Sequence, residues 1–166
     1  MPTLVIVLFT LLFASFISVA LPEEASLHSL SHLFSQNQSG CNVLHLRIGT
    51  GTLTVEIADT PKQMAIGLAF RPNLAPDMGM LFIHKGPQRV VYNSHNTLIP
   101  LSCAFIDADG FILEIHDLPS NSKTTATSKT DQIKFVVEAN QGWFEQHTIT
   151  PGTRIMITDK QVTIQN

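Results

Sequence analysis

The chain has 166 residues, 44% of them hydrophobic and 14% charged, which is enough for one domain with a substantial buried core. Ten Lys and Arg residues against thirteen Asp and Glu residues give a net charge of −3. Nucleic acids and anionic membrane surfaces are bound through clustered positive charge, which this sequence lacks, so the composition argues against both as partners.

The first predicted element is an apolar segment, residues 3–20, which contains no charged side chain. As a helix it would be about 27 Å long, near the lower limit for crossing a bilayer. It ends in Ser18-Val19-Ala20, with small residues at the two positions that a signal peptidase reads. We therefore predict that residues 1–20 are a signal peptide or, if uncleaved, an N-terminal membrane anchor; a buried core helix is the alternative. Either of the first two interpretations exports the rest of the chain to the periplasm or the cell exterior.

A polar tether is predicted over residues 21–42, and a single β domain over residues 43–166. Apolar and polar residues alternate with a period of two over 44–48 and again over 53–57, which is typical of strands with one buried face. The intervening Gly49-Thr50-Gly51 predicts a hairpin turn.

A short helix is predicted next, over residues 61–68. Thr60 can cap its first turn, Pro61 suits the first helical position, and Gln63 completes a capping box. Gly67 and Pro72 then limit its length.

Short strands account for most of the remaining chain, with turn signals at close intervals between them. They are predicted over residues 80–83, 89–92, 102–107, 111–115, 133–138, 154–158 and 161–164, with a polar loop over 120–130. About nine short strands favour a sandwich or barrel.

The two cysteines, Cys41 and Cys103, would meet an oxidising compartment if the domain is exported. A disulfide between them is one interpretation. The other is that Cys103, inside the apolar run 101–106, is a buried free thiol that behaves as a small hydrophobic residue.

Several short motifs follow one another along the chain, each occurring once. They are Gly67-Leu68 with Arg71, Gly79-Met80-Leu81-Phe82, Asn96-Thr97 followed by Ile99-Pro100-Leu101, Asp109-Gly110, and Glu138 followed by Gly142. On these motifs the sequence resembles the family known as domain of unknown function 192 (DUF192), over residues 53–157. The resemblance implies an often exported, mostly-β, jelly-roll-like domain without an established biochemical role. The sequence departs from the family pattern at Ala69, Asn93, Ser94, His95 and Ser102.

The candidate binding residues cluster around the third motif. His95, Asn96 and Thr97 bring a titratable ring, an amide and a hydroxyl to one loop, where they could bind a polar ligand. The alternative is that Asn96 and Thr97 satisfy backbone groups at a turn.

Arg71 and Glu138 are the second candidate group. Glu138 lies in an apolar strand and would need a partner if it points inward, and Arg71 could provide a bidentate one. A structural ion pair between them is one interpretation; a ligand-binding arginine or a catalytic glutamate is the other.

No motif predicts a metal site, a cofactor or a catalytic constellation. Histidines are scattered, and no HExxH, CxxC, GxSxG or phosphate-binding loop is present. The leading hypothesis is therefore a non-enzymatic exported domain that binds a small polar ligand or an envelope protein near Arg71, His95, Asn96 and Glu138. The alternatives are an envelope hydrolase or lyase that uses Glu138 and His95 as an acid–base pair, and a purely structural or assembly module.

Overall fold

A computed structural model describes residues 42–162; the predicted signal or anchor, most of the tether, and Cys41 lie outside these residues. Within them the chain forms nine strands and two short helices, which confirms the prediction of a mainly-β fold. The elements in chain order are β1 (Asn42–Ile48), β2 (Gly51–Ala58), α1 (Pro61–Ile66), β3 (Met78–Gln88), β4 (Val91–Asn93), β5 (Leu101–Ile106), β6 (Ile112–Leu118), β7 (Thr125–Thr127), β8 (Ile133–Asn140), α2 (Trp143–Gln146) and β9 (Ile155–Val162).

Seven of the strands form one curled sheet, a half-barrel, in the order β6-β5-β8-β3-β2-β1-β9. The strands β4 and β7 pair separately as a two-stranded antiparallel ribbon. Neighbours in the large sheet are antiparallel except for β2 and β3, which are parallel. Because parallel neighbours need a crossover of a dozen or more residues, the segment with α1 runs between them across the sheet.

The alternation of side chains gives the sheet two apolar faces. Along β8, Phe135, Val137 and Ala139 belong to a first core, whereas Val136 lies on the opposite face, in a second core. The second core is completed by residues that lie outside the large sheet. These are Leu68 after α1, Val90, Ile99 and Ala126.

The capping box predicted from the sequence is present at the start of α1. Thr60 Oγ1 accepts a hydrogen bond from Gln63 N at 3.3 Å, and Gln63 Oε1 accepts one from Thr60 N at 3.0 Å. The helix ends at Ile66, two residues earlier than predicted, because Gly67 leaves helical geometry with a φ of 51°.

Two local predictions need correction. The segment 120–130 is not entirely a loop, because β7 lies within it and pairs with β4. The two strands predicted over 154–158 and 161–164 are one strand, β9. No Gly or Pro interrupts residues 155–162, so no turn forms there. Instead, the pairing of β9 with β1 shifts its register between His45 and Leu46.

Cys103 lies on β5 and is buried, and no cysteine within residues 42–162 pairs with it. Burial is the main reason that its pKa is raised. Cys41 lies outside the described residues, so the proposed disulfide stays a prediction. Among residues 42–162, neither helix is long and apolar enough to cross a membrane.

Candidate functional site

A cavity of about 290 Å³ lies beside the second core. Strands β3 and β8 of the large sheet contribute to it, and so do two segments outside the sheet, 64–69 and 91–97. Its lining consists of Met64, Ala65, Ile66, Gly67, Leu68, Ala69, Phe82, His84, Val91, Tyr92, Asn93, His95, Thr97 and Glu138.

Glu138 is the most unusual residue of this lining. Its strand neighbours are Met80 on β3 and Cys103 on β5, and only 4% of its surface is exposed. Within residues 42–162, no hydrogen bond or ion pair engages its carboxyl group. Burial alone raises the pKa of Glu138 to about 8, because no nearby cation offsets the loss of hydration. The cavity therefore contains a buried carboxyl group whose hydrogen-bonding capacity is free.

Tyr92 is a second polar group in the cavity, and a short chain of hydrogen bonds holds its hydroxyl in place. The Gln88 amide donates to His84 Nδ1 at 2.6 Å, and His84 Nε2 lies 3.2 Å from the Tyr92 hydroxyl. Burial, followed by the charge of Lys134, lowers the pKa of His84, so its ring is neutral near pH 7 and donates from Nε2 to Tyr92. The Tyr92 hydroxyl proton remains available to an acceptor in the cavity.

The charge state of Tyr92 is also fixed. Burial, then the nearby charges of Glu138 and Cys103, raise the pKa of Tyr92 well above its ordinary value of 10.0. Its ring packs edge-on against Phe82, with the ring centroids 5.1 Å apart. The tyrosine is therefore a neutral, rigidly placed donor.

Two of the predicted loop residues line the same cavity as Glu138. His95 is exposed, and its backbone N donates to Asn93 Oδ1 at 2.9 Å. Thr97 is buried, and its backbone is fixed by Ser94 O at 3.0 Å and by Asn121 N at 2.7 Å. The structure thus brings His95, Thr97 and Glu138 together from distant parts of the sequence.

Asn96 is exposed and does not line the cavity. Its φ of 61° lies in the left-handed region, which Asn tolerates better than most residues. Its carbonyl oxygen accepts a hydrogen bond from Phe70 N at 2.8 Å, which joins the segment after α1 to the turn before β5. This placement agrees with a structural role at a turn.

The predicted ion pair between Arg71 and Glu138 is wrong. Arg71 Nη1 and Nη2 donate to the two carboxylate oxygens of Glu56 at 2.5 and 2.7 Å. Glu56 and Glu138 occupy one row across the sheet, on either side of Met80, and Arg71 reaches the nearer strand β2. The guanidinium therefore stabilises the junction of β2 with the crossover and does not line the cavity.

In a second cavity, of about 460 Å³, the polar residues Ser102 and Asp117 are hydrogen-bonded within the protein. Ser102 Oγ donates to Asp117 Oδ1 at 2.6 Å and accepts from Gly142 N at 3.0 Å. The other Asp117 oxygen accepts from Gln141 Nε2 at 3.2 Å. These bonds hold the turn before α2 against the sheet, so Ser102 and Asp117 serve the fold. No group of three or more metal-ligating side chains occurs within 42–162.

Comparison with known proteins places the chain in a family. The model of the DUF192 family, described as "Uncharacterized ACR", matches residues 44–157. The chain belongs to the DUF192 family. No curated protein matches it significantly.

Two solved structures are similar to this DUF192 chain. One, from Sinorhizobium meliloti 1021, is described as a "putative transcription regulator"; it is 31% identical, with a TM-score of 0.68, covering 73% of this chain and 98% of that one. The other, from Novosphingobium aromaticivorans DSM 12444, is a protein of unknown function; it is 28% identical, with a TM-score of 0.65, covering 70% of this chain and 86% of that one.

Sequence reasoning missed His84 and Tyr92 as parts of the site in this DUF192 domain. The strand predicted over 80–83 ends too early, since β3 continues to Gln88 and places His84 on the same face as Phe82. Extending the alternation by one residue would have indicated that face. Three positions at which the chain departs from the family pattern, Ala69, Asn93 and His95, also line the cavity.

Proposed function

We propose that this protein is an exported, non-enzymatic domain that binds a small polar ligand in the cavity containing Glu138. The observation that carries the proposal is the Glu138 carboxyl group, which is 4% exposed, lines the cavity, and has no hydrogen bond within the described residues. Burial of a carboxyl group without a partner costs several kcal/mol, so a ligand that donates hydrogen bonds to it would recover that free energy.

The cavity approaches the size of a site for a small molecule. Its volume of about 290 Å³ is close to the lower end of the range for such sites, roughly 300–1,000 Å³. Polar groups, among them Glu138, Tyr92 and Thr97, provide more of the wall than the apolar side chains do. This favours a compact ligand that carries at least one polar group.

Catalysis by Glu138 and His95 is less well supported than binding. The pair shares one cavity, and the pKa of Glu138 lies near neutrality, as an acid–base role requires. However, an acid–base group is usually oriented by a hydrogen bond, and within residues 42–162 none reaches the His95 ring or the Glu138 carboxyl group.

We do not propose that this chain regulates transcription, although the Sinorhizobium protein is described as a regulator. Binding to DNA rests on neutralising several phosphates with clustered Lys and Arg. This chain has only ten such residues and a net charge of −3. A small ligand is therefore the better-supported partner.

A thermal-shift screen of the purified protein tests ligand binding. Amines, sugars, amino acids and nucleotides are added in turn, and a true ligand is expected to raise Tm with its concentration, reaching about 2.7 kcal/mol of stabilisation at a hundred times its Kd. The same compound should give at least a tenfold weaker response in Glu138→Gln. Glu145→Gln, an exposed residue outside this cavity, is the matched control and should respond as the wild type does. A ligand whose effect is equal in all three proteins would contradict the proposed site.

Export is tested on the full chain with a reporter enzyme, active only outside the cytoplasm, fused to its C-terminus. We expect reporter activity, because residues 3–20 have the composition of a signal sequence. N-terminal sequencing of the exported protein should begin at Leu21 if the signal is cleaved. Replacing Leu11 and Leu12 with Arg should abolish the activity, and activity that persists in this variant would contradict the proposal.

A further inference from the structure

Exposed apolar side chains lie on the segments that flank the Glu138 cavity. Five large hydrophobic residues are exposed within 42–162, and four of them lie on the segments that flank the cavity: Ile66, Phe70, Val91 and Leu98. Ile66 and Val91 are themselves part of the lining. Exposed apolar residues in the wall of a cavity are suited to contact the apolar part of a ligand.

Phe70 shows that this exposure is imposed by the fold. Its side chain is 70% exposed, and its φ of 64° lies in the left-handed region, which is unfavourable for an aromatic residue by about 1–2 kcal/mol. The hydrogen bond from Phe70 N to Asn96 O helps to hold this conformation. A strained, exposed aromatic residue beside a cavity points to a ligand that packs on the rim.

Charge restricts the class of ligand further. Among the described residues, no Lys or Arg lines the cavity, and its one acidic side chain, Glu138, has no partner there. An ionised Glu138 would repel an anionic ligand and attract a cation, and the weak hydration of a buried carboxylate strengthens both effects. The face of an aromatic ring such as Tyr92 or Phe82 also attracts cations.

We propose that the cavity accepts a primary ammonium group on an apolar stem, either a free alkylamine or the lysine side chain of a peptide. The ammonium group would donate to Glu138, with the Thr97 hydroxyl oxygen in the same cavity as a further acceptor. The stem would pack on Met64, Leu68 and the exposed rim. This assignment rests on the proposed ligand binding at the same cavity and specifies its chemistry.

Proton release distinguishes an ammonium ligand from a neutral one. The titratable groups that face Glu138 are Tyr92 on β4 and Cys103 on β5, with His84 and His95 in the same cavity. Because the pKa of Glu138 is about 8, its carboxyl group is mostly protonated at pH 7, and an ammonium ligand must displace that proton. A neutral hydrogen-bond donor has no such requirement.

The test is isothermal titration calorimetry of the purified full chain with n-pentylamine hydrochloride and with n-pentanol, at pH 7 in two buffers of different ionisation enthalpy. We expect the amine to bind at least tenfold more tightly than the alcohol and to release about one proton per ligand. Glu138→Gln should lose the preference for the amine, and Glu145→Gln should retain it. A capped Ala-Lys-Ala peptide, compared with its norleucine analogue, tests whether the amine can come from a protein.

Three outcomes decide the assignment. Preference for pentylamine or for the lysine peptide, with proton release that depends on Glu138, supports it and identifies the source of the amine. Equal binding of amine and alcohol, or binding of neither, overturns the ammonium assignment. The proposed binding site itself survives that result if any other compound raises Tm in a Glu138-dependent manner, and it fails if none does.

Discussion

Replacing Glu138 with Gln is expected to stabilise the protein by on the order of 4 kcal/mol at pH 8 and to change its stability by less than about 1 kcal/mol at pH 4.5. The substitution keeps the shape of the side chain but removes the charge. Since burial raises the pKa of Glu138 from 4.5 to about 8, the native state holds a proton that the unfolded chain has already released between those values. Stability therefore falls as the pH rises through this window, and the amide variant does not share that loss.

Urea unfolding of the wild type and of Glu138→Gln, at pH values from 4.5 to 9, measures this difference directly. Contributions from all other titratable groups are common to both proteins and cancel in the comparison. Glu145→Gln is the matched control, because the same chemical change at an exposed residue should leave the pH profile unchanged. Wild-type and Glu138→Gln profiles that run parallel over this range would contradict an unpaired, buried carboxyl group.

Gly79→Ala is expected to destabilise the protein by about 3 kcal/mol or more. An added Cβ at this position would lie 2.4 Å from the backbone oxygen of Glu138 and 3.0 Å from Leu53 Cδ2. The backbone of β8 cannot move away without breaking its pairing with β3, where Gly79 lies opposite Ala139. The midpoint of urea unfolding should fall steeply, and the soluble yield should fall with it.

Gly86→Ala provides the control for that substitution. Gly86 lies on the same strand, and nothing lies within 4 Å of its added Cβ. We expect a change within about 1 kcal/mol, because only backbone entropy and local propensity are altered. Equal destabilisation by the two substitutions would show that the close approach of β8 to β3 is not what excludes a side chain at residue 79.

Local sequence signals predicted the fold well where the relevant forces are local. The capping box of Thr60 and Gln63 gives the start of α1, and the alternation over 44–48 and 53–57 gives the first two strands. The parallel pairing of β2 with β3 could not be predicted, since it depends on contacts across the sheet and not on the pattern within either strand.

The candidate site was predicted in part. Glu138 stood out as an acidic residue in an apolar strand, and His95 and Thr97 lie with it in one cavity. The partner of Arg71 was not predictable, because Glu56 and Glu138 are both glutamates on strands and only the path of the crossover selects between them. The roles of His84 and Tyr92 depend on the position of the β4–β7 ribbon relative to the sheet. No sequence motif indicates that position.

The position of Glu138 on β8 has a consequence for how occupancy of the cavity would be detected. The strand β8 lies between β5 and β3, inside the large sheet and away from both of its edges. A carboxyl group on an interior strand cannot be hydrated by the fraying of a terminus, so its full hydration requires the opening of strand pairs within the sheet. Slowed exchange of amide hydrogens throughout that sheet, and not only at the rim loops, would be the signature of a bound molecule.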